Sequence, residues 1–117
     1  MHSILIVDDE ANMLVMLDRV LTREGYTVHT AQDGKHALDL IAKHSFQAAI
    51  LDVRMYPMDG VTLLRIIKEQ LPAIQVIMIT GYSTSDTHEQ AMQNGAAAYL
   101  GKPVDIPAFK KLLRDLV

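Results

Sequence analysis

The 117-residue chain is half hydrophobic and about a fifth charged, the balance of one ordinary globular domain with a single core. Its formal charge of -3, with Lys and Arg scattered from Arg19 to Arg114, lacks the clustered positive footprint that direct nucleic-acid binding requires. No cysteine is available for a disulfide or a thiolate metal site, the five histidines are dispersed, and no apolar run approaches the ~20 residues that cross a bilayer.

From Met1-His2-Ser3 the chain passes straight into an apolar run, without the charged and apolar regions of a signal peptide. Residues 3–7 read as a first strand, continuous in hydrophobicity as a strand covered on both faces should be. Leu14, Leu17, Val20 and Leu21 then fall on one face of a helix that closes at Gly25. Residues 27–30 alternate in polarity, which suits an edge strand. Asp33-Gly34 opens a second helix, with Ala37, Leu38 and Ile41 inward. Residues 48–51 form a third apolar run, and Asp59-Gly60 opens a third helix carrying Leu64, Ile67 and Leu71. A fourth strand covers 75–79. The helix expected at about 84–94 has few apolar residues besides Ala91 and Met92, so it should pack weakly and open easily. Gly95 ends it, residues 97–100 give a fifth strand, and Ile106, Phe109, Leu113 and Leu116 line a last helix. Five strand–helix cycles indicate an α/β fold on a parallel sheet.

Right-handed crossovers put the carboxyl ends of parallel strands on one edge, where ligands of open α/β sheets bind. The first strand delivers Asp8, Asp9 and Glu10 to that edge, the third Asp52, the fourth Thr80 and the fifth Lys102. Each alone has a bland explanation as a cap, a turn residue or a solvated cation. Together they do not, because capping requires no acidic pair opposite a third carboxylate with a lysine and a hydroxyl alongside. Carboxylates so close repel one another and call for a hard, oxygen-binding cation. Magnesium suits two or so carboxylates, waters and a phosphate oxygen, so the set points to phosphoryl chemistry, with Lys102 and Thr80 stabilising the transferred group. Neither glycine-rich nucleotide-binding signature occurs.

Five separated stretches resemble one family. These are Ile4-Leu5-Ile6-Val7-Asp8-Asp9-Glu10, Ile50-Leu51-Asp52-Val53-Arg54-Met55, Met58-Asp59-Gly60, Ile77-Met78-Ile79-Thr80-Gly81, and the run from Gly95 to Pro103 that carries Tyr99 and Lys102. In order and spacing they resemble the receiver domains of bacterial two-component response regulators along nearly the whole chain. The resemblance implies a flavodoxin-like (βα)5 doubly wound fold with strand order 2-1-3-4-5, and a single receiver over residues 1–117, alone or as the N-terminal part of a longer regulator. It implies that Asp52 is the phosphoacceptor, supplied by a sensor histidine kinase or phosphotransfer protein. Magnesium (or manganese) is expected on Asp9, Asp52 and the Arg54 carbonyl, with Asp8 acting chiefly through water. Thr80 and Lys102 would contact the acyl phosphate, and Tyr99 would turn inward as Thr80 moves.

The same resemblance implies a cytoplasmic switch and not a turnover enzyme, with output to an effector domain or a second copy through the fourth helix and fifth strand. The Val53-Arg54-Met55 loop resembles that of receivers attached to ATP-dependent transcription activators. A cis Lys102-Pro103 bond is also expected. Three positions depart from the family pattern: Tyr56 stands where proline is common, with Pro57 after it; Ala98 replaces a frequent polar residue; and Tyr82 follows Gly81. Arg54 and Tyr82, two residues past Asp52 and Thr80, are expected to overhang the acyl phosphate and slow its hydrolysis. An aspartyl-phosphate phosphatase would need an acidic residue where Arg54 stands, and an unphosphorylated interaction module would have no use for the intact acidic set.

Overall fold

The computed structural model describes residues 2–117. β1 (Ser3–Val7), α1 (Ala11–Arg23), β2 (Thr27–Ala31), α2 (Gly34–Lys43), β3 (Ala48–Asp52), α3 (Gly60–Gln70), β4 (Gln75–Thr80), α4 (Ser85–Gln93), β5 (Ala98–Gly101) and α5 (Ile106–Leu116) follow in strict alternation. All strand pairs are parallel and the sheet order is β2-β1-β3-β4-β5, the expected doubly wound arrangement. The alternating β2 is an edge strand, and its side chains are mostly half-exposed.

The sheet divides the core in two. On one face Leu5, Val7, Leu51, Leu63, Leu64, Ile67 and Met78 pack with α2, α3 and Ala91 of α4. On the other, Ile4, Ile6, Leu17, Leu21, Ile50, Ile77, Phe109 and Leu113 pack α1 and α5 against the strands. Continuous apolar strands are what burial on both faces demands. Helix ends match their local chemistry: Asp33, Asp59, Thr84 and Asp105 cap α2, α3, α4 and α5 with their side chains. Gly25 and Gly95, with φ of +94° and +97°, take the left-handed conformation that closes α1 and α4.

Several boundaries differ by a residue from the hydropathy pattern. β3 and β4 run on through Asp52 and Thr80, because backbone pairing continues past the last apolar side chain. β5 starts and ends one residue later than expected. Thr84 and Asn94 are the caps of α4 and not part of it. Only Ala91 of α4 is buried and Met92 is exposed, so this helix is the weakly anchored one. The Lys102-Pro103 bond is cis, and so is Tyr56-Pro57, which the sequence did not suggest.

Phe109→Ala should cost about 3–5 kcal/mol, since the ring fills the α5 side of the core. Met92→Ala on α4 should stay within about 0.5 kcal/mol of the parent. Urea unfolding of the two variants checks the contrast.

Candidate functional site

Register brings the polar residues together. Val7 pairs with Leu51, so Asp8 comes level with Asp52 one step beyond, and the Asp8 N–H continues the edge by donating to the Ala31 carbonyl. Asp52 pairs with Ile79, which sets Thr80 beside it, and the Lys102 N–H donates to the Thr80 carbonyl at 2.8 Å. The carboxylates of Asp8, Asp9 and Asp52 each offer an oxygen within 4.8 Å of the others. Asp8 and Asp52 are buried and Asp9 is exposed. Gly60 closes the far side: a Cβ there would lie 2.0 Å from the Asp52 carbonyl oxygen, and its N–H donates to the Val53 carbonyl. Only glycine lets α3 start this close to the strand bearing Asp52.

The Lys102 ammonium lies 2.8 Å from Glu10 Oε1, 3.0 Å from Asp8 Oδ2 and 3.7 Å from Asp52 Oδ2. Three carboxylates therefore surround one ammonium. Burial pushes the Asp52 carboxyl up to about 6, with the Asp8 charge adding to the effect and Lys102 opposing it. For Lys102 burial works downward, but bonds to Glu10 and Asp8 and the Asp52 charge outweigh it and hold the ammonium above its ordinary range. Lys102 in turn holds the Glu10 carboxyl below the usual range. The donor set fits a divalent, oxygen-seeking cation: three carboxylates of mutually unfavourable charge, one reluctant to ionise, open to solvent through Asp9.

The expected switch residues are placed around this cluster. Thr80 is buried, and its hydroxyl faces its own loop, accepting the Tyr82 N–H and donating to the Tyr82 carbonyl, both at 3.1 Å. Tyr99 is half-buried, with its hydroxyl 2.9 Å from Thr87 Oγ1 on α4 and its ring edge-on to His88. The Arg54 N–H approaches Asp52 Oδ1 at 3.4 Å, while its guanidinium sits 5.1 Å from the centre of the Tyr82 ring. The two bulky side chains are thus in contact with each other across the β3–α3 and β4–α4 loops. A cleft of about 430 Å³ lies alongside, lined by Asp9, Arg54, Met55, Tyr56, Thr87 and Gln90 among others. A larger one of about 550 Å³, near Phe46, Gln47 and Pro72, includes none of the acidic cluster.

The response regulator receiver domain model matches residues 4–114. The chain belongs to this receiver domain family. Over this span it is a phosphorylation-activated signalling switch of the two-component type. It is 40% identical over 95% of its length to the transcriptional regulatory protein ZraR of Escherichia coli, of which it spans 25%. It is 32% identical over 97% of its length to sporulation initiation phosphotransferase F of Bacillus subtilis, of which it spans 91%. Among solved structures, a CheY-like receiver from Methanospirillum hungatei superposes with a TM-score of 0.93 at 32% identity, over 99% of this chain and 94% of that one. The beryllofluoride-activated NtrC4 receiver domain dimer gives 0.93 at 35%, over 99% and 96%. Among the described residues no helix is long and apolar enough to cross a membrane.

Sequence reasoning found every member of this cluster except Glu10 as a partner of Lys102. The signal was present, since glutamate is a poor helix cap at a position where the other helices carry Asp or Thr.

An unfolded aspartate titrates near 4, whereas Asp52 in the fold is pushed up to about 6. The native state therefore binds this proton more tightly, and as pH rises from about 4 to 6 ionisation of Asp52 removes stability. In EDTA at pH 7, Asp52→Asn should be more stable than the parent by about 1–3 kcal/mol, and the advantage should shrink as pH falls toward 4. Urea unfolding at both pH values measures it, and an equal difference at the two would contradict the assignment.

Proposed function

We propose that Asp52 is the phosphoacceptor of this switch, and that residues 1–117 act as one receiver unit, alone or leading a longer regulator. The observation that carries the reading is a buried carboxylate at a strand end, faced by Asp8 and Asp9 and with an ammonium at 3.7 Å. Asp9, Asp52 and the Arg54 carbonyl would hold magnesium (or manganese), with Asp8 contributing through water. When bound, the cation would neutralise the acidic cluster and the charge on the phosphoryl oxygens and so favour the ionised Asp52 that attack requires.

An Asp52 carboxylate oxygen attacks phosphorus and the bond from phosphorus to the donor breaks. The donor is a histidine nitrogen of a sensor kinase or phosphotransfer protein, whose imidazole departs with the bonding pair. Lys102 moves from its carboxylate partners to an equatorial oxygen, and the Thr80 hydroxyl turns to another. That turn breaks both contacts to Tyr82, loosening the loop ahead of α4. Tyr99 then fills the space Thr80 leaves, releasing Thr87 of α4. Because α4 buries only Ala91, it moves at small cost, and the α4–β5 face becomes the output toward an effector domain or a second copy. The chain works as a cytoplasmic switch with no turnover of an external substrate.

Acetyl phosphate with magnesium should add one phosphoryl mass to the parent and none to Asp52→Asn, as read by intact-mass spectrometry. An adduct that survives this substitution would refute the assignment.

The Arg54–Tyr82 contact should shield the line along which water reaches phosphorus. Tyr82→Ala should shorten the phosphoryl lifetime severalfold in magnesium, and Arg54→Ala should do the same. Decay of the phosphorylated species, followed without kinase or phosphatase, checks this; lifetimes unchanged or longer in both variants would count against shielding.

A further inference from the structure

The start of α1 differs from that of the other helices. Asp33, Asp59, Thr84 and Asp105 each accept the N–H three residues on, as side chains at that position commonly do. Glu10 holds the same position on α1 and makes no such bond. Its backbone N–H is held by Asp8 Oδ1 at 2.8 Å, which fixes where the side chain departs. The carboxylate then crosses to the chain after β5 and takes the Lys102 ammonium at 2.8 Å, the shortest of that lysine's three ion pairs.

We propose that Glu10 is a positioning residue that holds Lys102 off Asp52 until a phosphoryl group arrives; this rests on Asp52 as phosphoacceptor. An ammonium hydrogen-bonded to Asp52 would neutralise that buried carboxylate and compete with the cation for its oxygens. With Glu10 at 2.8 Å and Asp8 at 3.0 Å as its hydrogen-bond partners, the ammonium stands 3.7 Å from Asp52, beyond hydrogen-bond distance yet near enough to reach a group added there. The Glu10 side chain is 65% exposed, and exposed ion pairs are weak, so it surrenders Lys102 readily once phosphoryl oxygens offer a better partner. Reach matters as well as charge: aspartate at position 10 falls one methylene short.

The test is magnesium affinity, measured calorimetrically on the parent, Glu10→Gln and Glu10→Asp, each with and without Lys102→Ala. Both position-10 variants should bind magnesium about three- to tenfold more weakly, and the loss should disappear in the Lys102→Ala background. At saturating magnesium both should bind beryllofluoride more tightly than the parent, because Lys102 is free to meet it. If Glu10→Asp matches the parent while Glu10→Gln does not, or if the loss persists without Lys102, Glu10 acts only as a nearby negative charge and the proposal is overturned. If the parent binds magnesium and takes a phosphoryl group but both variants match it, the proposal alone fails. A parent that does neither overturns the phosphoacceptor reading and this inference with it.

Discussion

The constraint on which the rest depends is a surplus of negative charge held at the carboxyl edge of the sheet. Asp8, Asp9, Glu10 and Asp52 converge there, and among the described residues Lys102 alone is ion-paired within the group, to Asp8, Glu10 and Asp52. No local preference would assemble this group; the parallel register does, by setting Asp8 level with Asp52 and Lys102 alongside Thr80. The apolar strands below and the two half-cores on either face supply the free energy that the cluster costs. The raised Asp52 carboxyl is the signature of that cost. A divalent cation among these oxygens would relieve it.

How a change there reaches the surface follows from unequal anchoring. α1, α3 and α5 bury two or three large side chains each, whereas α4 buries one alanine. Polar contacts hold α4 where packing does not. Thr84 and Thr87 exchange a reciprocal cap, Thr87 meets the Tyr99 hydroxyl, and His88 rests on the Tyr99 ring. Net hydrogen-bond contributions are small, roughly 0.5–1.5 kcal/mol each, so such a helix can be re-seated by one new charge.

Much of this was legible in the sequence, for reasons that differ by element. Burial on both faces leaves an unbroken apolar run, so β1, β3 and β4 announced themselves, and the residues just after them were readable as the site. What hydropathy does not carry is backbone pairing, which is why Asp52 and Thr80 belong to their strands although the polar change marks an apparent end. Contacts across long separations were likewise hidden. Glu10 reads as an ordinary acidic residue at a helix start until Lys102, 92 positions later, is folded against it. Arg54 and Tyr82 were readable as two bulky side chains near the site, but not as partners of one another.

That last pairing changes what either residue can be asked to do. Tyr82 lies on the loop whose geometry is set by the Thr80 hydroxyl, and Arg54 follows Asp52 by two residues. A cation–π contact at an exposed site contributes about 0.5–1 kcal/mol, too little to lock either loop yet enough to bias their separation. The Thr80 hydroxyl orients the Tyr82 backbone, so the position of the ring over Arg54 depends on that hydroxyl. Arg54, Tyr82 and Thr80 therefore form one coupled unit at the mouth of the acidic cluster. The departure at Tyr82 is part of how this receiver links its loops, because a small residue there would leave Arg54 without a partner in the resting state.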